Sequence, residues 1–205
     1  MKTLPEIYDV FAATYDQNRS LFDMAPVLND FCNRLTVDRG RLLDLGCGAG
    51  EPFAKYFIDH GWEVTGIDFS KKMLELAARH VPEMKTICGD MQIAQFDSNC
   101  FDAITAVYSL FHVPRRHHAS LFQKCYQWLR PNGKFLFTYA TCEYTGHDEF
   151  DGFKEFLGER LFYSHNSPDQ LRQDLQNTGF LIESASLRNI GSEIFLWVTA
   201  GKKAA

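Results

Sequence analysis

The 205-residue chain has no run of lysine and arginine longer than two. Its basic pairs are Lys71-Lys72, Arg115-Arg116 and Lys202-Lys203, and the formal net charge is −5. Nucleic-acid binders carry a basic footprint, so no nucleic-acid partner is expected. No apolar run approaches the ~18 residues of a membrane span. The first residues, Met1-Lys-Thr-Leu-Pro-Glu6, lack the apolar core of a leader. These absences predict a soluble, cytoplasmic protein with no membrane partner. The six cysteines include no Cys-x-x-Cys pair. Most sit in apolar runs, as small buried hydrophobes do, which argues against a disulfide scaffold or a zinc site. The seven histidines show no Glu-x-x-His spacing, so no metal is expected. Internal repeats and low-complexity segments are also missing.

What is present is an ordinary globular composition, 45% hydrophobic, with 18 phenylalanines. The length fits a single domain over 1–205, since domains run to ~100–200 residues. Apolar spacings of three and four predict helices over 3–18 and 21–35, an N-terminal helical lead-in over 1–37. Strands are expected at 41–45, 62–67, 85–88, 101–109 and 134–140, alternating with helices at 52–60, 70–78 and 114–129. Residues 131–133, Pro-Asn-Gly, read as a turn before the fifth strand. A helix over 168–178 and strands over 180–187 and 194–199 complete the pattern. Alternating strands and helices imply a doubly wound α/β fold with a mostly parallel sheet. The last two strands would add an antiparallel edge hairpin.

Chemistry concentrates at residues 42–50, Leu-Leu-Asp-Leu-Gly-Cys-Gly-Ala-Gly. An apolar strand carries Asp44, then Gly46, Gly48 and Gly50 follow, then Glu51-Pro52 opens a helix. Glycines let backbone approach a ligand, because no Cβ intervenes. Dinucleotide sites use Gly-x-Gly-x-x-Gly with the pyrophosphate at the helix start. Here the pattern is Gly-x-Gly-x-Gly, and the Glu51 carboxylate would repel a pyrophosphate at that dipole. This argues against an NAD-dependent oxidoreductase. A cationic cofactor without phosphate, such as S-adenosylmethionine, suits Asp44. A second strand ends in Gly66-Ile-Asp68, 18 residues after Gly50. An acid there can accept both ribose hydroxyls. A third ends in Gly89-Asp90-Met91, where a carboxylate can meet an adenine amino group. Either acid could instead be a helix cap or turn residue.

With these segments the chain resembles class I S-adenosylmethionine-dependent methyltransferases, of the small single-domain bacterial type. The resemblance spans 42–137, with further matches at 101–113 and 129–137 and a lead-in Tyr8-Asp … Tyr15-Asp16. It implies a seven-stranded Rossmann-like sheet and S-adenosylmethionine as cofactor. The implied cofactor site comprises Tyr15, Asp44, Gly46, Cys47, Gly48, Gly50, Asp68, Phe69, Met73, Asp90, Met91 and Tyr108. Met73 would flank the adenine with Met91, unless it is simply core.

In-line methyl transfer needs chiefly proximity and orientation, and no catalytic residue is assigned. Phe111, His112, Tyr163 and His165 are the candidate substrate contacts; His112 could equally orient loops. Residues 143–166 show no clean period and carry Phe150, Phe153, Phe156, Phe162 and Tyr163. A long irregular segment in a compact domain is commonly functional, so it is expected to cap the active site. The alternative is a packed insertion whose His165 caps the next helix. The expected activity is methyl transfer to a small-molecule acceptor by a monomer or homodimer. A non-catalytic S-adenosylmethionine-binding regulator and a protein or RNA methyltransferase remain as alternatives.

Overall fold

Residues 42, 43 and 45 are all leucine, and consecutive side chains of a strand point to opposite faces. In the computed structural model Leu42 packs with Phe31, Phe57 and Leu136 on one side of the sheet. Leu43 and Leu45 pack with Ile104, Phe122 and Phe137 on the other. A strand buried on both faces reads as a continuous apolar run, which is why Arg41–Leu45 (β1) was legible. The structure describes residues 2–18, 23–191 and 193–204, the side chains of 15–18 excepted.

The other sheet strands are Glu63–Asp68 (β2), Lys85–Cys88 (β3), Phe101–Ala106 (β4) and Leu129–Tyr139 (β5). A separate pair, Phe150–Phe156 (β6) and Glu159–His165 (β7), precedes Leu181–Ile190 (β8) and Glu193–Gly201 (β9). Among the described residues the main sheet has seven strands in the order β3-β2-β1-β4-β5-β9-β8. Pairings from β3 to β5 are parallel, while β9 runs antiparallel to both β5 and β8. The expected doubly wound α/β sheet with its antiparallel edge is therefore present. Helices Leu4–Asn18 (α1), Ala25–Cys32 (α2), Phe53–Asp59 (α3) and Lys71–His80 (α4) precede β3. His118–Trp128 (α5), Cys142–Thr145 (α6) and Pro168–Thr178 (α7) follow it.

Several boundaries differ from the sequence reading. The expected turn at 131–133 lies inside β5, where the partner of Phe101 is Leu129 and that of Ala103 is Lys134. The extra residues bulge out of the ladder, with Asn132 at φ 67°. β4 stops at Ala106, because Tyr108 turns the chain at φ 54°. Segment 143–166 is not irregular: after α6 it is the β6–β7 hairpin. Phe150, Phe153 and Phe156 recur every third residue, which hides a period of two. The strand's alternate residues are nonetheless the shielded ones, and Phe153 is 47% exposed. The two-residue loop Leu157-Gly158 has φ 50° and 80°, a hairpin turn usually signalled by Asn-Gly.

The lead-in helix is tied to the sheet through α4. Ser70 caps α4, its Oγ accepting from Met73 N at 3.1 Å. The same hydroxyl donates to Asp9 Oδ1 at 2.6 Å, and Lys72 N donates to that oxygen at 3.2 Å. An α1 carboxylate thus sits on the positive end of α4.

Candidate active site

The carboxyl ends of β1, β2 and β4 open onto a cavity of about 320 Å³. α1 contributes Tyr8 and Phe11 to its opposite wall, and the hairpin contributes Phe156 and Tyr163. Ligands in open α/β sheets bind at this strand edge.

At the end of β1, Asp44 Oδ1 accepts from Thr105 Oγ1 at 2.7 Å. Burial pushes its carboxyl up to about 6, against the Thr105 bond and with the nearby Asp68 charge. The glycine turn is held by Ile67 O, which accepts from Gly46 N at 2.8 Å and Cys47 N at 3.1 Å. The three glycines have φ values of 75°, 51° and 82°, yet they do different work. A Cβ on Gly46 would stand 2.3 Å from Ser109 Cβ, and one on Gly50 would stand 3.0 Å from Val81 and Met84. A Cβ on Gly48 would meet nothing within 4 Å. Gly46 and Gly50 therefore serve packing, and Gly48 leaves room in the cavity. Gly50 does not line it. Cys47 does, but burial raises its thiol well above the ordinary value, with Asp44 and Asp68 adding. It stays protonated and is no nucleophile.

Asp68 ends β2, 8% exposed. Its Oδ2 accepts from Gly48 N at 2.9 Å and its Oδ1 from Ser70 N at 2.8 Å. Each oxygen keeps acceptor capacity for a ligand, while burial raises the carboxyl. Phe69, Met73 and Met91 continue the wall; Met73 also belongs to an apolar cluster with Ala12 and Leu76. Asp90 is off the lining: its carboxylate accepts from Gln92 N at 2.8 Å and Gln92 Nε2 at 3.0 Å. Tyr108 lines the cavity at its left-handed turn, where its N–H donates to Thr138 Oγ1 at 2.6 Å. The Tyr15 side chain falls outside the described residues.

Of the expected substrate contacts, Phe111, His112 and Tyr163 line the cavity and His165 does not. His165 is buried at the end of β7, between Thr145 Oγ1 at 2.8 Å and Asn166 O at 3.0 Å. Nor does it cap α7, whose cap is Ser167. His112 lies 2.7 Å from Phe162 O through Nδ1 and 2.7 Å from the Tyr8 hydroxyl through Nε2. A carbonyl only accepts, so Nδ1 carries the proton and Tyr8 donates to Nε2. Burial drops this imidazole to about 4. It is neutral, and it ties α1 to the β7 backbone.

Sequence reasoning missed Tyr8, Phe11 and Glu193 as cavity residues, while Phe156 lines the cavity as one of the aromatics expected in the cap. Tyr8 belongs to the first of two Tyr-Asp pairs in the lead-in, so its signal was present. Glu193 opens β9, far along the chain from any motif, and no local pattern marks it. The described residues lining the cavity include four carboxylates, at Asp44, Glu51, Asp68 and Glu193, and no lysine or arginine. Among the described residues no group of three or more His, Cys, Asp or Glu is placed to hold a metal ion. None of their helices is long and apolar enough to cross a membrane.

The glycine turn, the acids at successive strand ends and the strand order define a doubly wound α/β domain with a ligand cavity at its strand edge. Residues 43–137 are similar to the methyltransferase domain family. Phosphoethanolamine N-methyltransferase of Plasmodium falciparum is 28% identical over 77% of this chain and 59% of its own length. A ubiquinone biosynthesis O-methyltransferase of Alkalilimnicola ehrlichii is 35% identical over 58% of this chain and 50% of its own. The chain thus spans about half of these curated relatives. A solved S-adenosylmethionine-dependent methyltransferase from Mesorhizobium loti superposes with a TM-score of 0.72 and 22% identity. That match covers 87% of this chain and 97% of the other.

Proposed function

We propose that this protein is an S-adenosylmethionine-dependent methyltransferase acting on a small-molecule acceptor. The observation that carries the reading is the order along the cavity wall: Asp44, the open Gly48, Asp68, then Met91. Asp44 offers negative charge to the cationic methionine end. Asp68 offers its remaining lone pairs to the ribose hydroxyls. Met91, beside Phe69 and Met73, gives an apolar slot for the adenine. Glu51 stands in the cavity wall just before α3 and disfavours phosphate there. When bound, this cofactor supplies a methyl group already activated on a sulfonium. The residues' contribution is to hold acceptor and methyl in line and to exclude water. The hairpin within residues 143–166 and α1, joined through His112, act as the cap over the cavity. A cavity walled by α1 and the hairpin favours a small acceptor over a protein or RNA.

Incubation with methyl-labelled S-adenosylmethionine and a fractionated cell extract tests this. Label should appear in the small-molecule fraction. Label in the protein or RNA fraction would overturn the assignment of acceptor, and absence of transfer to every fraction would overturn catalysis.

Asp44 also gives a pH signature. Its carboxyl is raised to about 6, so the ligand-free fold binds this proton more tightly than the unfolded chain does. This group therefore stabilises the fold increasingly as pH falls through about 6 towards its unfolded value near 4. A cationic ligand needs the charged form, so cofactor affinity moves the opposite way. S-adenosylhomocysteine binding should weaken by up to tenfold per unit below pH ~6. The inflection should vanish in Asp44→Asn, read by calorimetry across pH 5–8. An inflection unchanged in that variant would assign the titration elsewhere.

A further inference from the structure

The carboxylates of the cavity divide into two groups. Asp44, Glu51 and Asp68 sit around the glycine turn, where the cofactor reading uses or explains them. Glu193 is left over, entering from the start of β9 beside the cap. It is half-buried, and the Tyr144 hydroxyl donates to its Oε1 at 3.3 Å. That hydroxyl also lies 3.1 Å from the Tyr163 hydroxyl. Among the described residues no basic side chain forms an ion pair with Glu193.

The surroundings of this carboxylate are aromatic and rigid. Phe111 stacks between Tyr163, at a centroid distance of 5.1 Å, and Phe195, at 4.9 Å. Tyr108 meets Phe195 edge-on at 5.5 Å. Tyr8 meets His112 edge-on at 5.6 Å, and that imidazole is neutral. Ring faces carry negative potential and attract ammonium ions. A half-buried carboxylate beside such faces attracts the same species and repels carboxylates and phosphates.

We propose that the acceptor is an organic amine, anchored as its ammonium by Glu193 against the Tyr8–Tyr108–Tyr163 walls and methylated on nitrogen. The inference rests on the methyltransferase reading above and names its substrate class. It also excludes an amine bearing phosphate, which would need arginine or lysine. Among the described lining residues there is none.

The chemistry balances without a further reactant. An ammonium has no lone pair, so one N–H proton passes first to the Glu193 carboxylate. Burial raises that carboxyl above its ordinary range, which makes it a better base than an exposed glutamate. The freed nitrogen pair then forms the N–C bond to the methyl, and the C–S pair stays on sulfur. Positive charge passes from sulfur to nitrogen, and the proton leaves Glu193 for solvent.

Calorimetry of the full chain saturated with S-adenosylhomocysteine tests the proposal with three probes of one shape. These are benzylamine, benzyl alcohol and benzoate, at neutral pH. Benzylamine should bind about tenfold more tightly than benzyl alcohol, a preference of cation–π and carboxylate origin, and benzoate should bind most weakly. Glu193→Gln, which keeps the side chain's shape, should cut the preference for the amine to the few-fold that the ring faces alone supply and leave S-adenosylhomocysteine binding unchanged. Equal or tighter binding of the alcohol or benzoate overturns the proposal. So does a preference undiminished in Glu193→Gln, or failure of all three probes to bind the saturated protein. Failure of S-adenosylhomocysteine itself to bind is a different result: it removes the cofactor reading, and this inference falls with it.

Discussion

Gly48→Val should abolish S-adenosylhomocysteine binding, with a loss of more than about 100-fold, while leaving the protein folded. The added Cβ meets no protein atom within 4 Å, so its branches project into the space reserved for ligand. The position has φ 51°, which costs a β-branched residue on the order of 1–3 kcal/mol. Gly48→Asn serves as the second variant, because asparagine tolerates this backbone region better and still fills the space. Gly46→Val should fail differently. Its Cβ would stand 2.3 Å from Ser109 Cβ, so the fold itself should be lost or its melting temperature sharply lowered. Circular dichroism and calorimetry on the three variants separate the two outcomes. A folded Gly48→Val that binds normally would reduce the turn to a connector.

Asp68→Ala has the second large effect. Hydrogen bonds to a charged group contribute about 1.5–3 kcal/mol each. Loss of the ribose acceptor should therefore weaken S-adenosylhomocysteine by about 10- to 150-fold. The change also strips acceptors from Gly48 N and Ser70 N. Some fall in stability accompanies it, and the folded fraction must be measured alongside. Unchanged affinity in the folded variant would take Asp68 out of the site.

The sheet and the half of the cavity at the ends of β1 and β2 were legible because their signals are local. β1 is a run of apolar residues ending in an acid, glycines and a helix start, and each feature constrains its neighbour. Asp68 and Met91 follow at strand ends that hydrophobic pattern alone locates. The three glycines, by contrast, look equivalent in sequence. Their separation into packing and open positions depends on Ser109, Val81 and Met84, which arrive from other parts of the chain. The half beside the hairpin was less legible for the same reason. Glu193 reaches the cavity because β9 inserts between β5 and β8, a fact of topology that no neighbouring residue announces. The hairpin was hidden by phenylalanines at intervals of three and a Leu-Gly turn. His165 and Tyr163 lie two apart on β7, yet His165 pairs with Thr145 away from the cavity while Tyr163 lines it. His112 was placed at the strand edge correctly, but only the fold reveals its bonds to Tyr8 and Phe162.

The central claim, that this cavity is built for a cationic, phosphate-free adenosyl cofactor, is tested most directly by titrating the unmodified protein with S-adenosylhomocysteine and with NAD in a calorimeter at neutral pH. Saturable binding of S-adenosylhomocysteine with no heat from NAD is the predicted result; binding of NAD without S-adenosylhomocysteine would contradict it.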